Sequence, residues 1–263
     1  MIRCSIARAL VLVFRVVIPA RFDSTRLPGK VLLPLAGKPM IQWVHERARA
    51  AGAREVIIAT DDVRIADAAR RFGAEVAMTA KTHPSGSDRI AQAARERGWG
   101  AGDIVVNVQA DEPLIPPTLI AQVARLLEAH WDAHLATLAT PIATFEEFLD
   151  PNVVKVVTDA QGRALYFSRA PIPWDRDGAS PGQGSRMSFA GAMRHIGIYA
   201  YRVAALEKLS LQLPSALELR EKLEQLRALE NGLQIRVEQA RETPGPDVNT
   251  AEDLHRVGRL LHA

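Results

Sequence analysis

Three cations share one short segment of the chain: Arg21, Arg26 and Lys30, with Gly29 beside the lysine. Directly before them lies an apolar, β-branched run over residues 11–20 that ends in Ile18-Pro19-Ala20. Such a run reads as a strand buried on both faces, and ligands of open α/β sheets bind outside the carboxyl ends of their strands. Cations gathered there suit a triphosphate, whose leaving pyrophosphate gains charge in the transition state. Backbone N–H groups near Ser24, Thr25 and Gly29 would add neutral donors. A solvated basic loop is the other reading of the same residues. Neither G-x-x-x-x-G-K-[ST] nor G-x-G-x-x-G follows the run, which sets aside two other phosphate-binding folds.

A second buried run, residues 104–108, leads into Gln109-Ala110-Asp111-Glu112-Pro113. Adjacent carboxylates at a strand's carboxyl end can hold Mg²⁺, which takes a few oxygen ligands and keeps water and phosphate in its shell. The competing reading is a plain turn, for which Asp-Glu-Pro is well suited. Asp111 is the better ligand of the two, and Glu112 is as readily placed facing solvent.

These two loops need a frame, and the rest of the sequence supplies one. Strand-like runs at 55–60 and 76–78 alternate with helical patterns: Met40, Ile41, Val44, Ala48; then Ile65, Ala66, Ala69, Phe72; then residues 90–97 and 119–127. Pro39 suits a first helical turn, and Gly52 and Gly73 suit helix ends. The alternation predicts an α/β, Rossmann-like fold, with a mostly parallel sheet between two layers of helices. Strand candidates at 135–142, 153–158, 164–167 and 196–201 have little helix between them and predict a partly antiparallel extension. Residues 175–188, rich in Gly, Ser and Pro, read as a mobile loop. Ser215 and Glu218 form a capping box that opens a helix carrying Leu219, Leu223 and Leu226, stopped at Asn231-Gly232. Residues 234–237 read as a last strand, and Thr250-Ala251-Glu252-Asp253 as the cap of a terminal helix. No linker separates independent units, so residues 16–263 read as one domain, preceded by an extension over 1–15.

At 263 residues, 48% hydrophobic and 24% charged, the chain has an ordinary globular composition. Its formal charge of +3 invites a nucleic-acid reading, but the distribution opposes it. Arg3, Arg8 and Arg15 precede Asp23, the first acidic residue, and account for the whole excess. The remainder is balanced and lacks clustered cations with interleaved aromatics. The lone Cys4 forms no internal disulfide, which fits a reducing compartment. No run approaches the roughly 18 apolar residues that cross a bilayer. Residues 1–15 resemble a short signal sequence, yet Arg15 interrupts the apolar stretch and no small-x-small site follows. The expectation is a cytoplasmic protein that binds neither nucleic acid nor membrane.

Taken together, residues 17–30, Gly37-Lys38-Pro39-Met40, Ala59-Thr60-Asp61, His83-Pro84-Ser85-Gly86-Ser87-Asp88-Arg89 and 109–113 resemble the 3-deoxy-D-manno-octulosonate (Kdo) cytidylyltransferase family. Ser168-Arg169-Ala170-Pro171-Ile172-Pro173-Trp174, Arg194-His195-Ile196-Gly197-Ile198-Tyr199 and Leu223-Glu224-Gln225-Leu226-Arg227 are more particular and extend the likeness to the C-terminal part. The first loop alone indicates only a nucleotidyltransferase.

The resemblance implies transfer of CMP from CTP to the anomeric hydroxyl of Kdo, releasing pyrophosphate, with Mg²⁺ as cofactor and lipopolysaccharide assembly as the use of the product. It implies a homodimer as well. It assigns Arg21, Arg26 and Lys30 to the triphosphate and the departing pyrophosphate, and Asp111 to the metal. Arg21, Ser24, Lys30, Ser85 and Asp111 would bind CTP, with Ser85 in the loop that reads the cytosine. Gln109, Arg169, His195, Tyr199, Glu221 and Gln225 would hold the acid sugar. Each sugar position also has a plainer reading: His195 as a satisfied core histidine, Glu221 on the solvent face of its helix.

Two positions depart from the family's pattern. Ala110 stands where glycine is usual, so a left-handed backbone there would be strained. Asn249, in Pro246-Asp247-Val248-Asn249-Thr250, stands where a second metal-binding aspartate is usual, which removes one charge from the metal's surroundings. A cytidylyltransferase for another acid sugar such as sialic acid, or a catalytically weak nucleotide-binding homologue, are the rival expectations.

Overall fold

The computed structural model describes residues 12–24, 27–176, 178 and 188–262. In chain order the strands are β1 (Phe14–Ala20), β2 (Pro34–Leu35), β3 (Lys38–Pro39), β4 (Glu55–Thr60), β5 (Glu75–Met78), β6 (Ile104–Asn107), β7 (Leu135–Pro141), β8 (Lys155–Thr158), β9 (Ala164–Ser168), β10 (Met193–Arg202) and β11 (Ile235–Gln239). The helices are α1 (Met40–Ala50), α2 (Val63–Arg71), α3 (Gly86–Glu96), α4 (Pro117–Ala129), α5 (Phe145–Leu149), α6 (Val203–Ser210), α7 (Ala216–Glu221), α8 (Gln225–Glu230) and α9 (Ala251–His262).

The main sheet runs β11-β7-β10-β6-β1-β4-β5, with β8 and β9 attached beside β10. Strands β1, β4, β5 and β6 are mutually parallel where they pair, and β11 is parallel to β7. Strand β10 runs antiparallel to β6, β7 and β8, which supplies the mixed extension. Alternation along β1 builds a core on each face. Val16 and Ile18 pack with Met40, Val44, Ile65, Leu119 and Val123 on one side, whereas Val17 packs with Ile57, Ile90, Leu206 and Leu226 on the other.

Three local differences from the sequence pattern matter. Strand β1 begins at Phe14, so Phe14 and Arg15 lie in the sheet although they fall within the stretch expected as an extension. Phe14 is buried, and Arg15 pairs with Asp103 at 3.0 Å and Glu55 at 3.6 Å. The single helix expected after Ser215 is two, α7 and α8, broken where Lys222 takes a left-handed conformation with φ 55°. Most of the expected mobile loop at 175–188 lies outside the described residues, as do residues 1–11.

Strand order reverses beside β1, with β4 on one side and β6 on the other. That is the switch point where the carboxyl ends of parallel strands diverge and leave a crevice. The loops after β1 and β6 both open into it.

Candidate active site

The loop after β1 is closed by a backbone bond from Gly29 N to Phe22 O at 2.9 Å. Gly29 has φ 67°, and a Cβ there would stand 2.9 Å from the Phe22 ring, so both conformation and space call for glycine. The closure feeds Lys30 into one turn of 3₁₀ helix, and its side chain points at the loop after β6. Lys30 Nζ lies 2.6 Å from Asp111 Oδ2, 3.0 Å from Val248 O and 3.3 Å from Asn249 Oδ1. Across the opening, the Arg21 guanidinium donates to His83 O and, at 3.4 Å, to Ser85 O. Arg21, Ser24, Lys30, Gln109 and Asp111 thus line one cleft of about 380 Å³. Thr25 and Arg26 lie outside the described residues.

The floor of this cleft includes a residue to which composition gave no role. Arg89, on α3, is fully buried, pairs with Asp61 Oδ2 at 2.8 Å and bonds to the Thr79 hydroxyl. Both members fall in segments that carried the resemblance, but charge alone does not distinguish a buried arginine from a solvated one.

Ser85 sits at the mouth as the N-cap of α3. Its hydroxyl accepts from Asp88 N, while Asp88 reciprocates with Ser85 N, a complete capping box. Glu224, at the start of α8, accepts from the hydroxyls of Ser87 and Ser85, the latter at 3.3 Å. Burial, the larger effect, raises the Glu224 carboxyl above its usual range against the opposing bond from Ser87.

The residues expected at the acid sugar lie on the loop after β6, on β10 and at the junction of β9 with α7 and α8, with the Phe167 ring packed against His195 between them. Gln109 reaches toward Gly197 O at 3.5 Å and lines the cleft. His195 lines a neighbouring cavity of about 250 Å³ with Glu112, Arg194 and Asp247. A register shift between Ile196 and Tyr199 turns β10 here, and the Thr137 hydroxyl secures it by donating to Ile198 O at 2.7 Å while lying 3.1 Å from His195 Nε2. Burial pushes the His195 pKa down to about 3, so the ring is neutral. Tyr199 is buried against His195 and Tyr201. Glu221 accepts from Ser168 Oγ at 2.7 Å and Arg169 N at 3.0 Å, and Arg169 Nε donates back to Glu221 O at 2.7 Å. The solvent-facing reading of Glu221 therefore fails; it ties α7 to the end of β9. Gln225 begins α8, beside Glu224.

Glu112 is half-buried and not the solvent-facing residue that the turn suggested. Burial first, then the charges of Asp111 and Asp247, push its carboxyl up to about 8. The methyl of Ala110 is buried without strain, since Ala36 and Lys222 are the described non-glycine residues with positive φ.

Among the described residues no three His, Cys, Asp or Glu side chains are grouped as metal ligands. Asp111 Oδ2, Asn249 Oδ1 and Val248 O nevertheless converge on a single point, marked by the Lys30 ammonium. An all-oxygen set with one carboxylate fits Mg²⁺ that completes its shell with phosphate and water.

The cytidylyltransferase family profile matches residues 15–235. The 3-deoxy-manno-octulosonate cytidylyltransferase of Thioalkalivibrio sulfidiphilus is 59% identical over 250 residues, covering 95% of this chain and 99% of that protein. This chain belongs to the 3-deoxy-manno-octulosonate cytidylyltransferase family. Its namesake in Pseudomonas fluorescens is 54% identical over 95% of this chain and 98% of its own length. A solved structure of a CMP:2-keto-3-deoxy-manno-octonic acid synthetase, complexed with CTP, superposes with a TM-score of 0.83 at 38% identity, covering 96% of this chain and 99% of that one. The Rossmann-like fold with its mixed sheet is thus that of the cytidylyltransferases. No described helix is long and apolar enough to cross a membrane.

Proposed function

We propose that this family member transfers CMP from CTP to the anomeric hydroxyl of Kdo, giving CMP-Kdo and pyrophosphate for lipopolysaccharide assembly. The observation that carries the reading is the convergence of Arg21, Lys30, Gln109 and Asp111 on one cleft at the switch point, in a chain alike over nearly its whole length to enzymes named for this activity.

In the reaction a bond forms between the anomeric oxygen of Kdo and the α-phosphorus of CTP, the bond from that phosphorus to the oxygen bridging to the β-phosphate breaks, and the hydroxyl proton is released to water. No covalent enzyme intermediate is needed, because positioning and charge neutralisation carry phosphoryl-type transfers. Arg21 and Lys30 hold the β- and γ-phosphates and stabilise the pyrophosphate as it gains charge. Asp111, with the neutral oxygen of Asn249, would hold Mg²⁺, which when bound screens the triphosphate charge. Gln109 orients the sugar beside the α-phosphate. The neutral His195 offers a hydrogen bond without adding charge beside the sugar carboxylate. Arg169, steadied by Glu221, supplies the cation for that carboxylate. The enzyme acts in the cytoplasm as a homodimer.

The test is pyrophosphate release from CTP with Kdo, sialic acid or no sugar, with and without Mg²⁺. Release with Kdo alone, and only with metal, supports the assignment. Release with sialic acid instead reassigns the acceptor, and no release with either sugar makes the chain a silent nucleotide-binding relative.

A further inference from the structure

An ammonium group has three N–H donors, and Lys30 has three acceptors within reach: Asp111 Oδ2, Val248 O and Asn249 Oδ1. Those oxygens are also the set that fits a hard divalent cation. Lys30 is therefore fully engaged at the very point a metal would take, and while engaged it has no donor left for a phosphate. Its side chain is only 14% exposed, and what exposure it has is toward the cleft. One movement is open to it, away from Asp111 and into the nucleotide's space.

We infer that Lys30 is a built-in counter-ion of the metal position: lysine and divalent cation exclude each other at Asp111, and a nucleotide's phosphates, by drawing Lys30 off, admit the metal. This rests on the assignment of Asp111 as a metal ligand. Asn249 makes the exclusion stronger. With one carboxylate at the convergence point, the single charge of Lys30 balances it, and little net field remains to attract a cation. Asp247 does not restore the deficit there. It accepts from the Asn249 amide and faces the neighbouring cavity with Glu112 and His195. Coupling of this kind is reciprocal, so the metal favours nucleotide binding by the same factor as nucleotide favours the metal.

The experiment titrates Mn²⁺ into the full chain without nucleotide and reads free Mn²⁺ by electron paramagnetic resonance, with melting curves as a check on folding. Lys30→Met, which removes the competing charge, is expected to bind Mn²⁺ about tenfold more tightly than the wild type. Lys30→Arg keeps a cation beside Asp111 and is expected to bind as weakly as the wild type. Asp111→Asn is expected to abolish binding in the Lys30→Met background. If Lys30→Met binds no more tightly while Asp111→Asn still removes the metal, the exclusion is wrong and the metal position stands. If Asp111→Asn leaves binding intact, the metal position itself is wrong and the exclusion falls with it. Should Lys30→Met melt like an unfolded chain, Lys30→Gln serves in its place with the same expected outcome.

Discussion

Arg89 Nη2 donates to Asp61 Oδ2 across 2.8 Å, from a guanidinium with no solvent exposure. The pair joins α3 to the end of β4 beneath the cleft. Removing one partner leaves a buried charge uncompensated, which in proteins generally costs about 3–5 kcal/mol. Arg89→Met is expected to lower the unfolding free energy read from urea denaturation by an amount in that range. Replacing both, Arg89→Met with Asp61→Leu, is expected to recover much of the loss. A single variant as stable as the wild type would remove the pair from the supports of the site.

Arg21→Ala and Lys30→Ala are expected to lose turnover by about 10²–10³-fold, the scale of deleting one preorganised donor to a developing charge. Arg21→Ala should cost no more than about 1 kcal/mol of stability, and Lys30→Ala about 1–3 kcal/mol, because it takes a partly buried ammonium from Asp111, Val248 O and Asn249. Steady-state pyrophosphate release alongside thermal melts separates the two effects. Near-normal rates would exclude the residue from the catalytic set.

How much of this was legible in the sequence differs from place to place. The central strands stood out because each is an apolar run closed by a polar loop, and the two loops that carry the chemistry follow directly from them. The break between α7 and α8 did not stand out, because Leu219, Leu223 and Leu226 keep helical spacing straight through it. What ends α7 is the left-handed Lys222, whose N–H bonds to Glu218 O at 2.7 Å, together with the tertiary bonds of Glu221 to Ser168 and Arg169. Those contacts span some fifty residues, and periodicity carries no trace of them. The same holds for Glu112, whose burial depends on the segment near Asp247 folding back over the loop after β6.

His195 predicts an acid-sensitive stability. Its pKa is held near 3 in the fold, against an ordinary value of 6.5 once unfolded. The unfolded chain therefore binds the extra proton first. The contribution is fully present above pH 6.5 and is lost progressively as pH falls through the window toward 3. His195→Phe retains an aromatic ring between Phe167 and Tyr199 but cannot titrate. Denaturant unfolding at pH 7 and pH 5 should show a steeper loss for the wild type than for the variant. Parallel losses would mean that the ring does not titrate as the burial requires.

Asn249→Asp sets two effects against each other. The amide now donates to Asp247 and its oxygen accepts from Lys30 at 3.3 Å. A carboxylate would repel Asp247, at a cost below about 1 kcal/mol for so exposed a pair, while binding Lys30 more firmly. Toward a divalent cation the sign reverses, because a second negative oxygen beside Asp111 strengthens the ligand set. The variant is therefore expected to be slightly less stable without metal, to gain more in melting temperature on adding Mg²⁺, and to reach half-maximal activity at about tenfold lower Mg²⁺. Melting curves read the first two and a metal titration of pyrophosphate release the third. An unchanged Mg²⁺ requirement would show that position 249 lies outside the metal's reach, leaving Asp111 as the charged ligand from this pair of loops.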